Sequence, residues 1–279
     1  MTGFSADWLS LREPADTRAR ATEIRDAAID VLSGKTHPVI VDLASGTGST
    51  LRALAPRLPE GQSWRLIDHD PALLERAEAL CAGLLAPGHL QCVEADLAGD
   101  MEGVLARALE GADLVTTSAF LDLVSPPWAQ ALLTTLQKRG LPFYAALTYD
   151  GRTTCSPAHP LDEAVVDAVN RHQTGDKGFG PALGPQAADF VLAALRSGGC
   201  QVMDAPSDWT CPGEEPIFQG ELVDGWARAV REIGTLSPTD LDQWLGFRRR
   251  AIEAGTSRIT VGHVDFLAIP EHLTSRQRV

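Results

Sequence analysis

The sequence predicts an α/β protein built on a doubly wound, mostly parallel sheet. Between residue 38 and about residue 148, short β-rich runs alternate with longer amphipathic runs, which is typical of parallel strands joined by helices. The segment from Pro38 to Gly48 reads as a strand, a tight turn and the start of a helix. With 279 residues, 44% of them hydrophobic, the chain is long enough to bury a full core.

The core strands are predicted from aliphatic and β-branched runs that end in turn residues. The helices between them are assigned from apolar spacing and end signals; Asp70 followed by Pro71, for example, suits an N-cap and a first helical turn. The crossovers between parallel strands are expected to be right-handed. The ligand crevice is expected at the carboxyl ends of the strands. The predicted strands are 38–43, 64–68, 90–93, 112–117 and 141–148, and the predicted helices are about 49–58, 71–86, 100–110 and 126–139.

The segments on either side of this core are predicted to be mainly helical. Residues 5–33 show intermittent apolar spacing, and Pro14 is expected to break them into two pieces. Frequent glycine, proline, threonine and serine indicate loops at 151–160 and 175–185. Beyond strand five, helices are predicted at 161–172, 185–197, 216–233 and 238–254, and strands at 199–204 and 258–268, for about seven strands in all.

The composition argues against several classes of protein. A formal charge of -13 disfavours general affinity for nucleic acid or anionic membranes, because phosphate binding depends on clustered Lys and Arg. The basic run from Arg248 to Arg250 is predicted to be a solvated helix face. Five scattered cysteines without a Cys-x-x-Cys pair favour reduced thiols over a metal site. Without an apolar leader or a stretch of membrane-spanning length, the chain is expected to be cytoplasmic.

Acidic residues stand at equivalent places, at or just after the ends of three predicted strands: Asp42, Asp68 and Asp96. The carboxyl ends of strands in an open α/β sheet line one crevice, so these carboxylates are expected to face one bound molecule. A carboxylate at the end of a buried strand needs a partner. A ligand with a ribose diol, an adenine amino group and a cationic end would satisfy all three. Gly46 and Gly48 allow positive φ and a close approach of ligand to backbone.

The glycine turn alone also fits a nicotinamide or flavin dinucleotide. That fingerprint is Gly-x-Gly-x-x-Gly, and Leu51 stands where the third glycine is needed. Asp42, placed before the glycines, would also face a pyrophosphate unfavourably. Both points argue against a dinucleotide. The alternatives to ligand binding are that Asp42 is a turn cap and that Asp96 is a helix N-cap.

Four segments resemble the successive motifs of class I S-adenosylmethionine-dependent methyltransferases. They are Val41–Gly48, Leu66–Pro71, Val93–Leu97 and Asp113–Ser118, and they follow the family's order and spacing over about residues 38–150. The resemblance implies a Rossmann-like sheet of seven strands with the last one antiparallel. It also implies S-adenosyl-L-methionine as cofactor and S-adenosyl-L-homocysteine as product.

The resemblance implies a role for individual residues of these motifs. Ala44 and Ser45 stand where the family often has Gly-Cys, a mild change that preserves binding unless position 44 needs positive φ. The implied cofactor residues are Asp42, Ala44, Gly46 and Gly48 for the methionine part, Asp68 for the ribose, Asp96 with Leu97 for the adenine, His69 beside the adenine, Ser118 beside the methyl group, and Arg20 or Arg12 near the carboxylate.

The acceptor side is less defined by the sequence. Asp122, soon after strand four, is a candidate general base or amine-orienting group, and a helix-start acid is the alternative. Tyr149 closes strand five, and His172 and Lys177 lie in a polar, glycine-rich segment, so these three are candidate acceptor-binding residues. No metal is predicted. The expected partner is a small molecule, and the chain is expected to be a monomer or a homodimer.

The resemblance divides the chain into three regions. Residues 1–36 would form an N-terminal helical lid, 37–150 the cofactor-binding core, and 151–279 the rest of the sheet with helical insertions that cap the substrate. The implied activity is O- or N-methylation of a small molecule (EC 2.1.1.-). The alternatives are a non-catalytic, S-adenosylmethionine-binding regulatory subunit and another transferase with a related adenosyl cofactor, such as an aminopropyl transferase.

Overall fold

The structure is a computed structural model and describes residues 5–271. Within that range, two helices come first, strands and helices then alternate from residue 39 to residue 156, and pairs of helices and strands follow. The strands are β1 Val39–Leu43, β2 Ser63–Asp68, β3 Leu90–Glu94, β4 Leu114–Ser118, β5 Phe143–Ser156, β6 Cys200–Pro206, β7 Trp209–Cys211 and β8 Arg258–Pro270. The helices are α1 Ala6–Ala19, α2 Thr22–Asp30, α3 Ser49–Leu54, α4 Pro71–Cys81, α5 Met101–Ala108, α6 Pro126–Arg139, α7 Asp162–Gln173, α8 Ala187–Ser197, α9 Pro216–Ile233 and α10 Pro238–Glu253.

The strands form one sheet in the order β3-β2-β1-β4-β5-β8-β6, with β7 paired to β8. The first five strands in the chain are mutually parallel, and β8 is antiparallel to β5, β6 and β7. The strand order reverses beside β1, because β2 lies on one side of it and β4 on the other. In doubly wound folds, ligands bind at such a switch point. The predicted α/β fold is confirmed.

Two hydrophobic clusters lie on opposite faces of the sheet. Along β1, Ile40 belongs to one cluster, and Val41 and Leu43 belong to the other. The two-residue alternation of a strand places Asp42 on the same face as Ile40. That face also receives residues of α2, α3 and α4, whereas the opposite face receives α5, α6 and α8. Asp42 is therefore a carboxylate at a position that a buried strand would ordinarily fill with an aliphatic side chain.

Pro14 does not divide the N-terminal region, so that expectation is wrong. Helix α1 runs through Pro14, and the break comes at Arg20 and Ala21. Pro14 cannot donate to the carbonyl of Ser10, but both residues are exposed, so that carbonyl faces solvent. The helix predicted over 71–86 also ends earlier, at Cys81, followed closely by Gly83 with φ +84.

The sheet is longer and has one more strand than predicted. β5 continues to Ser156 through the segment predicted as a loop, because β8 pairs with it through two register shifts. The short β7 pairs with the same part of β8, with Trp209 opposite Val261. A three-residue strand has too little pattern to be found from sequence. The 13-residue β8 supplies the template for both neighbours.

The basic run on α10 is not simply a solvated face. The side chain of Arg248 is completely buried, whereas Arg249 and Arg250 are exposed. Arg248 pairs with Asp162 at the start of α7 and donates to the carbonyl of Pro157 at 2.7 Å. A charge can be buried in this way because its two terminal nitrogens have partners of opposite charge or dipole, the carboxylate of Asp162 and the carbonyl of Pro157.

Candidate functional site

The turn between β1 and α3 has a strained, left-handed backbone. Ala44, Gly46 and Gly48 have φ of 51, 53 and 79° respectively. Position 44 therefore needs positive φ, and its alanine adopts that conformation at a cost of about 1–3 kcal/mol. The turn is fastened to β2, since the N–H of Ser45 donates to the carbonyl of Ile67 (3.0 Å) and that of Gly46 to Oδ2 of Asp68 (2.7 Å). These bonds hold the turn at the carboxyl ends of the two strands.

Asp42 is fully buried beneath this turn, with 0% of its surface exposed. Its Oδ1 accepts a hydrogen bond from Thr116 of β4 at 2.7 Å, and its Oδ2 has no partner among residues 5–271. Burial raises the pKa of Asp42 to about 6, while Thr116, Arg20 and the hydroxyl of Thr50 oppose the rise and Asp68 adds to it. An anionic oxygen that is buried and unpaired fits a cationic group of a ligand.

Asp68 ends β2 on the other side of the turn. Besides the bond from Gly46, its Oδ1 accepts from the N–H of Asp70 at 3.1 Å and lies 3.3 Å from Nδ1 of His69. Each carboxylate oxygen can accept more than one hydrogen bond, so Asp68 retains capacity for ligand hydroxyls. His69 is mostly exposed. The structure thus brings Asp42, Asp68 and His69 to one edge of the sheet.

Asp96 and Leu97 lie two or three residues beyond β3. Asp96 is exposed, and its Oδ1 accepts from the N–H of Ala98 at 2.8 Å in the turn before α5. That contact closes a turn, whereas the N-cap of α5 is Asp100, so Asp96 is not a helix N-cap and an adenine contact at Asp96 stays a prediction. The side chain of Leu97 is buried, and its carbonyl accepts from Nε1 of Trp128 at 2.8 Å.

Arg20 enters the site from the N-terminal region. It is 5% exposed and donates to hydroxyls of Thr50 on α3 (3.3 Å), Ser118 at the end of β4 (3.2 Å) and Tyr144 on β5 (3.4 Å). Its guanidinium therefore lies at the ends of three neighbouring elements, next to the turn. Arg12, the other candidate, pairs with Asp16 at 3.1 Å instead.

Helix α1 lies directly over the glycine turn. A Cβ at Gly46 would stand 3.2 Å from Cδ1 of Leu9, so α1 and the turn are in close contact. Glu13 pairs with Arg52 of α3 at 2.6 Å, and Arg18 pairs with Glu215 just before α9 at 2.5 Å. These contacts place α1 between the turn and solvent.

Asp122 lies in a short 3-10 turn, Leu121–Leu123, after β4. It is 8% exposed, and within the described part of the chain its carboxylate has no side-chain hydrogen bond or ion pair. Burial raises the pKa of Asp122 to about 6, while its own backbone N–H and the charges of Arg12 and Lys177 oppose the rise. Asp122 is thus, like Asp42, a buried carboxylate with a raised pKa at this end of the sheet.

The three candidate acceptor-binding residues differ in their contacts. Tyr149 is buried and donates to Oδ1 of Asn170 at 2.7 Å. Burial raises the pKa of Tyr149 to about 12, with the charge of Asp122 contributing, so Asp122 and Tyr149 share one environment. Lys177 is likewise within electrostatic reach of Asp122. His172 pairs with the exposed Glu232 of α9 at 2.8 Å, and its Nδ1 lies 3.4 Å from Nζ of Lys177.

Sequence reasoning missed two buried polar residues of β8, His263 and Asp265. Nδ1 of His263 lies 3.1 Å from the carbonyl of Val261 and donates to it, so Nε2 is left without a partner among the residues described. Burial lowers the pKa of His263 to about 3, so the ring is neutral. The signal was present, since the two residues stand at alternate positions in an otherwise apolar strand and so share a face.

The comparisons with known proteins agree with this architecture. No protein-family model matches the chain, and no curated protein matches it in sequence. Among solved structures, a mycolic acid cyclopropane synthase complexed with SAH and CTAB is similar at a TM-score of 0.50 and 12% identity, over 95% of this chain and 94% of that chain. An S-adenosylmethionine-dependent methyltransferase from Thiobacillus denitrificans, in complex with S-adenosyl-L-homocysteine, has a TM-score of 0.48 and 16% identity, over 95% of this chain and 99% of that chain.

At such identities the likeness concerns the fold. The chain has the fold of class I S-adenosylmethionine-dependent methyltransferases, and the predicted resemblance is confirmed at that level. None of the helices within residues 5–271 combines the length and apolar character needed to cross a bilayer.

Proposed function

We propose that the protein transfers the methyl group of S-adenosylmethionine to a small-molecule acceptor. The observation that carries this proposal is the buried, unpartnered Oδ2 of Asp42 beneath the glycine turn. The amino-acid end of S-adenosylmethionine bears an ammonium and a carboxylate group. Asp42 would pair with the ammonium group, and the guanidinium of Arg20, beside Thr50 and Ser118, would take the carboxylate.

The remaining cofactor contacts follow the edge of the sheet. Asp68 would hold the ribose hydroxyls, His69, Asp96 and Leu97 would border the adenine, and Ser118 would lie near the sulfonium. In this arrangement residues 1–36 act as a lid, 37–150 as the cofactor-binding core and 151–279 as the cap over the acceptor. The packing of Leu9 on Gly46 supports the lid, because it places α1 where a bound cofactor is shielded from water.

When bound, S-adenosylmethionine supplies an electrophilic methyl group and becomes the neutral thioether S-adenosylhomocysteine. The protein has to align the acceptor with that methyl group and exclude water. Asp122 would accept the proton that an O–H or N–H acceptor loses, since a pKa of about 6 leaves it ionised at neutral pH and still basic. Tyr149, Lys177 and His172 would hold the acceptor, and the free Nε2 of His263 offers a further hydrogen-bond acceptor.

The test combines binding with product identification. Calorimetry should show that the protein binds both S-adenosylmethionine and S-adenosylhomocysteine. Incubation with cell extract and isotopically methyl-labelled cofactor should place the label on a small molecule that mass spectrometry identifies. Failure to bind either form of the cofactor would refute the proposal.

The role of Asp122 is tested with Asp122→Asn once the product is known. We expect this variant to bind the cofactor within about twofold of wild type and to lose about 10²–10⁴-fold in turnover, the usual contribution of a general base. Full turnover by Asp122→Asn would show that no base is needed at this position. Asp113→Asn, at the amino end of β4, serves as the control, because Asp113 accepts from Val39 and pairs with Lys35.

Two alternatives have distinct outcomes in the same experiments. Binding of both cofactor forms without any labelled product would favour a regulatory, cofactor-binding subunit. Tighter binding of decarboxylated S-adenosylmethionine would favour aminopropyl transfer. The buried guanidinium of Arg20 argues for a cofactor that retains its carboxylate.

A further inference from the structure

Asp265 lies on β8, far in sequence from the glycine turn, and its side chain is fully buried. Its carboxylate accepts from the N–H of Ala21 (3.0 Å), the N–H of Leu147 (2.7 Å) and the hydroxyl of Tyr144 (3.3 Å). These donors belong to the junction of α1 with α2 and to the amino-terminal part of β5. One carboxylate thus joins the N-terminal helices to the central strand that neighbours β4.

The backbone around Asp265 depends on this carboxylate. The register between β5 and β8 shifts between Ala145 and Thr148, and Leu147 lies in the shift with φ of 54°. Ala21 precedes α2 as its N-cap residue and has no side chain able to cap a helix. Asp265 supplies an acceptor to both N–H groups, and its negative charge is also favourable at a helix N-terminus.

Asp265 is also connected to Arg20 in two ways. It holds the backbone N–H of Ala21, the residue directly after Arg20, at 3.0 Å. It also accepts from the hydroxyl of Tyr144, which in turn accepts from Nη1 of Arg20 at 3.4 Å. Asp265 therefore holds the main chain next to Arg20 directly, and it holds the guanidinium of Arg20 through the hydroxyl of Tyr144.

We propose that Asp265 is a positioning residue for the amino-acid end of the cofactor. It holds Arg20 where the guanidinium meets the cofactor carboxylate, and it does not touch the cofactor itself. The inference rests on the proposed function, in which Arg20 binds that carboxylate. A purely structural role predicts that losing Asp265 weakens every adenosyl ligand alike, whereas a positioning role predicts a loss confined to ligands that carry the carboxylate.

The experiment compares two ligands by calorimetry with the full chain. S-adenosylhomocysteine carries the amino-acid end, and 5′-methylthioadenosine lacks it. We expect Asp265→Asn to weaken S-adenosylhomocysteine binding about tenfold or more, the usual range for a hydrogen-bond network that holds a charged group, and to change 5′-methylthioadenosine binding less than about twofold. Arg20→Gln should show the same selectivity, and Tyr144→Phe a smaller loss of the same kind.

Controls separate the outcomes. Asp113→Asn removes another carboxylate that accepts a backbone N–H, at the opposite end of the sheet, and should bind both ligands as wild type does. Equal weakening of both ligands in Asp265→Asn, or no weakening of either, overturns the positioning role. If circular dichroism shows that Asp265→Asn is unfolded, Tyr144→Phe is judged by the same criterion. If wild type binds neither ligand, the proposed function and this inference are refuted together. If wild type binds S-adenosylhomocysteine more tightly than 5′-methylthioadenosine and the variants leave that difference unchanged, this inference alone is refuted.

Discussion

Asp42 is the residue whose position is hardest to explain by folding alone. Its neighbours on β1 are aliphatic, and its carboxylate is fully buried with one oxygen unpaired. An unpaired buried carboxylate destabilises the folded state, and the raised pKa of Asp42, about 6, reflects that penalty. A cationic ligand relieves it. The residue is therefore better explained by binding than by stability.

The pKa of Asp42 predicts how cofactor binding depends on pH. In the proposed arrangement the ammonium group of the cofactor pairs with the ionised carboxylate, so we expect full affinity above a pH of about 6 and a fall as the pH drops through that value. Between pH 7 and 5 the affinity for S-adenosylhomocysteine should fall by at most about tenfold per pH unit at the acid end. Calorimetry across this range measures it.

Asp42→Asn is the control for that pH dependence. The amide does not titrate, so the variant should bind weakly at every pH and lose the dependence that wild type shows. If wild type and Asp42→Asn follow the same curve, another group is responsible. Asp122, whose pKa is also raised to about 6, would then be the first to examine.

At the scale of elements, packing against neighbouring helices and strands constrains the glycine turn. Gly48 begins α3 with φ of 79°, and a Cβ there would stand 3.1 Å from Sγ of Cys81 and 3.3 Å from Cδ1 of Leu66. The absent side chain therefore lets α4 and β2 approach the start of α3. Gly46 instead faces Leu9 of α1. The two glycines serve different contacts, which their shared motif does not reveal.

Gly48→Ala should be markedly destabilising because it adds a steric clash to an unfavourable φ. Gly34→Ala is the matched control, since Gly34 has φ of 82° and nothing lies within 4 Å of a Cβ there. We expect Gly34→Ala to lower the free energy of unfolding by about 1 kcal/mol, and Gly48→Ala by about 1–3 kcal/mol more. Urea denaturation measures both. Equal losses in the two variants would show that packing against α4 contributes nothing.

At the scale of the whole molecule, Arg248 connects segments that are distant in sequence. Its guanidinium pairs with Asp162 of α7 and donates to the carbonyl of Pro157, which follows β5. Nε1 of Trp244, one turn earlier on α10, donates to the same Asp162 at 2.8 Å. Helix α10 is thereby fixed to α7 and to the end of β5.

Removal of one partner of this buried pair should therefore be costly. Arg248→Ala leaves the carboxylate of Asp162 without its charged partner and should lower the free energy of unfolding by about 3–5 kcal/mol. Arg250→Ala, on the same helix but exposed, should change it by less than about 0.5 kcal/mol. Chemical denaturation followed by circular dichroism compares the two. Similar losses would mean that the basic run is a solvated face, as the sequence predicts.

The accuracy of the sequence predictions varies between elements. The helices predicted over 126–139 and 216–233 match α6 and α9, since a long amphipathic pattern with clear end signals defines a helix locally. The effect of Pro14 and the existence of β7 were not predictable in this way. The first depends on whether a freed carbonyl faces solvent, and the second on a neighbouring strand more than 40 residues away.

The sequence by itself determined the class of fold and the positions of Asp42 and Asp68 near the carboxyl ends of neighbouring strands. Those features follow from local periodicity and from the spacing of turns, which neighbouring residues encode. Only the tertiary structure decided that Oδ2 of Asp42 is unpaired, that Arg20 rather than Arg12 lies beside the turn, and that Asp265 joins the N-terminal helices to β5. The physical reason is that burial and pairing depend on segments up to 244 residues apart, whose contact no local pattern specifies.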